Sequence, residues 1–156
     1  ELSVMDYPAP LEPLRDILPY FAYIMAAFAA LRLAKFNLDT RQTTSFIGLP
    51  TPANALFWGS LIVGANDIIE YSPYCVFAIM AMVLVSSYIQ VAELPMFALK
   101  FKHWGWKGNE IKYIFIATCI PLLIIFKLSA FAVIIAWYVI LSVYVNITNK
   151  EKDNNV

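Results

Sequence analysis

Residues 29–54 read AALRLAKFNLDTRQTTSFIGLPTPAN. An apolar run collects Arg32 and Lys35, breaks into a polar loop, and re-enters apolar sequence through Gly48, Pro50 and Pro52. Charge placed that close to hydrocarbon is tolerated mainly where it snorkels to the interface, finds a partner or binds something. The stretch therefore reads as a seam between two membrane helices, with a substrate-facing edge.

Composition supports that reading. The chain has 156 residues, 61% hydrophobic and 14% charged, whereas a soluble domain has about 45–50% apolar and about 25% charged residues. Its mean hydropathy is +0.68. The expected fold class is all-α integral membrane: a polytopic helical bundle with about five transmembrane helices. Eleven basic residues balance eleven acidic ones, so net charge favours no nucleic-acid partner. Cys75 and Cys119 sit inside apolar runs without a CxxC spacing and read as buried thiols.

Around the seam, residues 1–16 hold three prolines and four acids, which suits an aqueous loop ending at Asp16. Spans are expected near 17–36, 50–65, 73–101, 111–126 and 128–146, with a polar tail over 147–156. In the first span Ala22, Ala26, Ala30 and Ala34 recur every four residues and predict a stripe for close helix approach. Asn37 continues that stripe, whereas Arg32 and Lys35 project from another face.

The third span carries Ser86, Gln90 and Glu93 at i, i+4 and i+7, a polar face that must look into the bundle or a wet cavity. Pro95 predicts a kink there. The following loop, KFKHWGWKGNEIK at 100–112, mixes bases with Trp104 and Trp106, the mixture expected at a headgroup surface. His103 has no second His or Cys at ligand spacing and reads as interfacial. The fourth and fifth spans, separated only by the turn at Lys127, read as a hairpin.

With five spans the loops alternate between two sides. One side would hold only Arg15 and Lys127, and the other nine Lys and Arg residues, including Arg32, Lys35 and Lys112. The positive-inside rule makes the basic side cytoplasmic and residues 1–16 an extracytoplasmic loop. The first and third spans then run in the same direction. Arg32 and Glu93 should lie at similar depth and form a buried ion pair.

Chemistry-bearing motifs are sparse. The sequence has no Walker A loop, GxGxxG or HExxH, and its acids form no metal-ligand cluster on the cytoplasmic side. Cations beside small residues at that surface suit a phosphate-bearing or anionic lipid-like ligand. A transporter or a non-catalytic membrane scaffold is compatible with the same bundle. Polar residues gathered on one side argue against a path that needs them at the midplane.

The segments LRLAKFN at 31–37 and FIGLPTPAN at 46–54, in that order and spacing, resemble the bacterial phosphatidylserine synthases of the CDP-alcohol phosphotransferase family. The resemblance implies transfer of a phosphatidyl group from CDP-diacylglycerol to L-serine, giving phosphatidylserine and CMP. It further implies a homodimer in the bacterial cytoplasmic membrane, acting at the cytoplasmic face among membrane lipids. A different acceptor alcohol, such as glycerol phosphate or inositol phosphate, is the variant within the family.

Family members hold a divalent metal, Mg or Mn, with aspartates in DxxDGxxAR followed by GxxxDxxxD, and neither half occurs here. The chain is accordingly expected to be a C-terminal fragment that contributes no catalytic or metal-binding residue and is inactive alone. By the same resemblance Arg32 and Lys35 are the candidates for contacting substrate phosphate or carboxylate. Asn37 would orient a polar group or cap the helix, and Gly48, Pro50 and Pro52 would shape the loop beside the pocket.

Overall fold

The computed structural model describes residues 12, 16–38, 46–71, 75–97, 99, 101, 104–106 and 108–154. Most of the expected loop over 1–16, the loop residues 39–45, Pro73 and His103 lie outside them. The first helix is entered through a 3-10 turn at Leu18–Phe21, with Pro19 where a missing N–H costs nothing. Asp16 makes no cap: Ile17 occupies that position without a side-chain hydrogen bond.

Five α-helices follow: α1 (Ala22–Leu38), α2 (Thr51–Tyr71), α3 (Cys75–Val91), α4 (Glu110–Phe126) and α5 (Ala130–Asn154). Two short strands, β1 (Phe46–Ile47) and β2 (Pro95–Met96), pair antiparallel with Phe46 opposite Met96 and Ile47 opposite Pro95. The fold is thus all-α apart from this ribbon. Two stretches, Pro19–Leu38 and Glu110–Thr148, are long and apolar enough to cross a membrane, and α3 is a shorter apolar helix. The second stretch folds back on itself. Lys127 has φ +50°, a 3-10 turn covers Lys127–Ser129, and α4 packs against α5.

Packing sets the helices in the spatial order α1, α3, α2, α5, α4. Contacts between them give the directions. Trp58 of α2 donates to Ser86 of α3 while Leu49, just before α2, donates to Ile89 near the end of α3, so those two helices are antiparallel. Gly64 meets Ser129, whereas Phe57 packs in the cluster of Ile135 and Val139, so α5 is antiparallel to α2. Trp137 Nε1 donates to Thr118 Oγ1 at 3.2 Å across the α4–α5 hairpin. One core cluster among the described residues joins Leu49, Met96 and Ile135, surrounded by Ala53, Phe57, Ile89, Tyr138 and Val139.

Several boundaries depart from the sequence expectation. The third helix ends at Val91 instead of continuing to residue 101. Pro95 therefore kinks no helix; it lies in β2, where its missing N–H suits an edge strand. Glu93 falls beyond the helix end, so the i, i+7 extrapolation from Ser86 loses its meaning there, and its side chain is exposed. The second helix runs to Tyr71 rather than residue 65, and α5 carries through the expected tail to Asn154. The alanine stripe of α1 faces outward, with Ala22, Ala26, Ala30 and Ala34 all exposed. The half-buried face is instead Met25, Phe28, Ala29 and Arg32, and α1 packs on α3.

Candidate functional site

The seam closes over the C-terminal end of α3. The last four carbonyls of any α-helix lack intrahelical donors and carry the negative end of its dipole. Leu49 N–H donates to Ile89 O at 3.1 Å, and Gly48 N–H reaches past the end to Leu94 O at 2.9 Å. Lys35 Nζ donates to Val91 O at 3.0 Å. The strand pair β1–β2 holds this strap in place.

Gly48 is required for both of the reasons glycine is used in such positions. Its φ of +74° is the left-handed region, and a Cβ there would run into the Gln90 carbonyl oxygen and lie 3.0 Å from Ala92 O. Pro50 is half-buried and precedes α2, and its carbonyl accepts the first-turn bond from Asn54 N–H at 3.0 Å. Pro52 lies exposed in that first turn, at a position where a helix tolerates proline.

Arg32 sits one turn before Lys35, on the face of α1 turned to α3. Its Nε and Nη2 are buried with no hydrogen-bond partner. No ion pair joins it to Glu93, which stands exposed past the end of α3. The expected Arg32–Glu93 pair is thus corrected: α3 stops two residues short of Glu93 and the chain leaves the helix surface. Asn37, in the last turn of α1, is exposed.

Three further polar side chains belong to the same end of the bundle. Gln90 is 1% exposed and Asn54 3% exposed. Both ends of the Gln90 carboxamide, Asn54 Oδ1 and Ser87 Oγ are buried without a partner. Their levels follow from the packing register. Trp58 Nε1 donates to Ser86 Oγ at 3.1 Å; one turn toward the strap on each antiparallel helix brings Asn54 and Gln90 to a common level. Lys35 meets Val91, so one turn back on the parallel helices α1 and α3 sets Arg32 level with Ser87.

A buried polar group left unpaired costs about 1–3 kcal/mol, and a charged one more. Unpaired groups concentrated at one end of a bundle mark a place where a ligand or water completes the hydrogen bonding. The set holds a guanidinium for an anion, two carboxamides that both donate and accept, and a hydroxyl. An apolar cleft of about 200 Å³ adjoins it, lined by Leu49, Asn54, Phe57, Met82, Ser86 and Val139 among others.

The Ser86–Gln90 face was legible as helical spacing in an apolar run. Ser87 and Asn54 were not, because a lone Ser or Asn in an apolar run has no pattern until a facing helix gives it a level. Among the described residues no three of His, Cys, Asp and Glu come together as a metal site. Cys75 and Cys119 form no disulfide and are only half-buried. No family model matches the chain, and no curated protein or solved structure matches it.

Proposed function

We propose that this chain is a polytopic membrane bundle of about five spans that forms the substrate-binding part of a CDP-alcohol phosphotransferase making phosphatidylserine. In this reading CDP-diacylglycerol and L-serine meet at the cytoplasmic end of α1, α2 and α3, in the inner membrane of a bacterium, within a homodimer. Neither half of the family's metal-binding aspartate motif occurs in these 156 residues, so this reading assigns them substrate binding and no metal. The observation that carries the reading is the buried, unpartnered Nε and Nη2 of the half-buried Arg32 beside the strap formed by the two motif segments. A phosphate or carboxylate is the partner a guanidinium matches best, through two parallel charge-assisted hydrogen bonds.

Lys35 supports the site from behind. Its bond to Val91 O fixes α1 against α3 and so positions Arg32. Gln90 and Asn54 supply neutral donors and acceptors of the kind that distinguish one polar headgroup from another. The adjoining apolar cleft suits the non-polar part of an amphiphilic ligand.

Membranes carrying the protein that contains this sequence are to be supplied with CDP-diacylglycerol and either serine or glycerol phosphate, and CMP release measured. Serine-dependent release that falls at least tenfold in Arg32→Ala is expected. Release with glycerol phosphate alone would replace the acceptor. No release with either would overturn the enzyme reading and favour a transporter or scaffold.

A further inference from the structure

Four aromatic rings form a ladder where the chain enters α4. Trp104 stacks on Phe101 with centroids 5.7 Å apart and planes within 3°. Phe101 meets Tyr113 at 5.4 Å, and Tyr113 stacks on Trp106 at 5.4 Å and 1°. The order in space is Trp104, Phe101, Tyr113, Trp106.

Hydrogen bonds among the described loop residues surround these rings. Tyr113 Oη donates to Trp104 O at 2.9 Å, Asn109 Nδ2 to Gly105 O at 2.9 Å, and Asn109 N–H to Trp106 O at 2.9 Å. Gly108, at φ +85°, donates its N–H to Glu110 Oε2 at 2.8 Å. The Lys112 ammonium stands 5.3 Å from the Phe101 ring centroid, within cation–π range.

Despite this scaffold the two end members face outward, Trp104 being 85% and Trp106 64% exposed. Two large indoles held rigidly outward mark a contact surface. The neighbouring surface indicates what makes that contact. Immediately after the ladder, α4 exposes Ile114, Ile116, Ile120, Leu123 and Ile124, a band continuous with the rings that hydrocarbon would cover. Beside the rings the described loop residues place the Asn109 amide, the Glu110 carboxylate and the Lys112 ammonium. A ring system with an apolar body and polar N–H or O–H tips, set at the junction of an apolar band and a charged loop, matches the headgroup level of a bilayer.

We propose that the Trp104–Phe101–Tyr113–Trp106 ladder docks onto the headgroup layer of a phospholipid membrane and fixes the depth of the α4–α5 hairpin. That depth is passed on to the strap. Phe97, which follows β2, contacts the rings of Phe115 at 5.7 Å and Tyr138 at 4.8 Å, and its carbonyl accepts the Tyr138 hydroxyl at 2.9 Å. The proposal rests on the membrane reading of the chain and on no catalytic assignment.

The chain has four tryptophans, so Trp58→Phe/Trp137→Phe leaves only the two in the ladder. In phosphatidylcholine vesicles their fluorescence should be quenched at least twofold more by a lipid with a nitroxide near the headgroup than by one with a nitroxide at the chain end. Stronger quenching by the deep label, or quenching by aqueous iodide with none by either lipid, would overturn the proposal. The reciprocal variant Trp104→Phe/Trp106→Phe reports Trp58 and Trp137. If neither lipid label quenches these, the membrane reading itself fails; if they are quenched while the ladder is not, only the anchor fails. Should loss of Trp58 and Trp137 prevent folding, the ladder signal is obtained by subtracting the reciprocal variant from the unaltered chain.

Discussion

Lys35 Nζ donates to Val91 O at 3.0 Å, joining the last turn of α1 to the last residue of α3. Two parallel helices therefore end at one level, and the cation serves the negative end of its neighbour. Arg32, one turn earlier on the same helix, has no such partner for its buried Nε and Nη2. Two cations three residues apart thus have opposite energetic roles.

Their substitutions should separate accordingly. Lys35→Met removes an exposed charge-assisted bond and should destabilise the bundle by about 0.5–1 kcal/mol. Arg32→Met removes a half-buried charge that lacks compensation, and should leave thermal stability in detergent unchanged or raise it. If Arg32 serves the proposed substrate site, binding of CDP-diacylglycerol should nevertheless fall at least tenfold in Arg32→Met. A loss of stability in Arg32→Met as large as that in Lys35→Met would show that Arg32 is paired in the protein.

Glycine substitutions should diverge in the same way. Gly48→Ala forces a Cβ onto the Gln90 and Ala92 carbonyls at a positive φ and should cost about 1–3 kcal/mol. It should also free the end of α3, seen as faster amide exchange at position 48 and at Leu49. Gly59 lies within α2 with open space around its missing Cβ, so Gly59→Ala should be neutral or stabilising by up to about 1 kcal/mol. Equal effects at the two positions, measured by thermal unfolding, would contradict the strap geometry.

Helix identity was legible because apolar runs of these lengths have few other solutions. The start of α4 and the turn at Lys127 fall within about a turn of expectation for that reason. Residues 92–97 were misread because their partner is remote. A run through Ala92, Met96 and Leu99 looks like more helix until Phe46 and Ile47 pair with it, and only the Pro at residue 95 hints at the break. The alanines of α1 failed for a related reason: a stripe of small side chains permits close packing but does not compel it, and the larger face of Met25, Phe28 and Ala29 is the one turned inward. At the site, Arg32 was visible as charge in an apolar run, whereas Asn54 and Ser87 gained meaning only from helix register.

The Trp58–Ser86 bond supplies that register and is open to direct measurement. Its donor–acceptor distance is 3.1 Å and Ser86 also donates to Val83 O at 3.2 Å within α3. A double-mutant cycle with Trp58→Phe and Ser86→Ala should give a coupling of about 0.5–1 kcal/mol, the range of interhelical hydrogen bonds in membrane bundles. Zero coupling would remove the basis for placing Asn54 level with Gln90.

At Gly64 a Cβ would stand 2.5 Å from Ser129 Oγ and 2.6 Å from Ser129 Cβ. The hydroxyl can rotate away, but the Ser129 Cβ cannot move without the turn that follows Lys127. Gly64→Ala should therefore overpack the contact between α2 and the hairpin turn, costing about 1–3 kcal/mol. Because α5 also carries Ile135 and Tyr138 against Leu49 and Met96, a shift of the turn should reach the strap. Ser129→Gly on its own should cost a few tenths of a kcal/mol up to about 1 kcal/mol from added chain freedom. Combined with Gly64→Ala it removes the clashing atom, so the double variant should be more stable than the sum of the two single changes predicts. Thermal unfolding of the four proteins in one detergent measures this coupling, and strict additivity would mean that α2 and the turn are further apart than described.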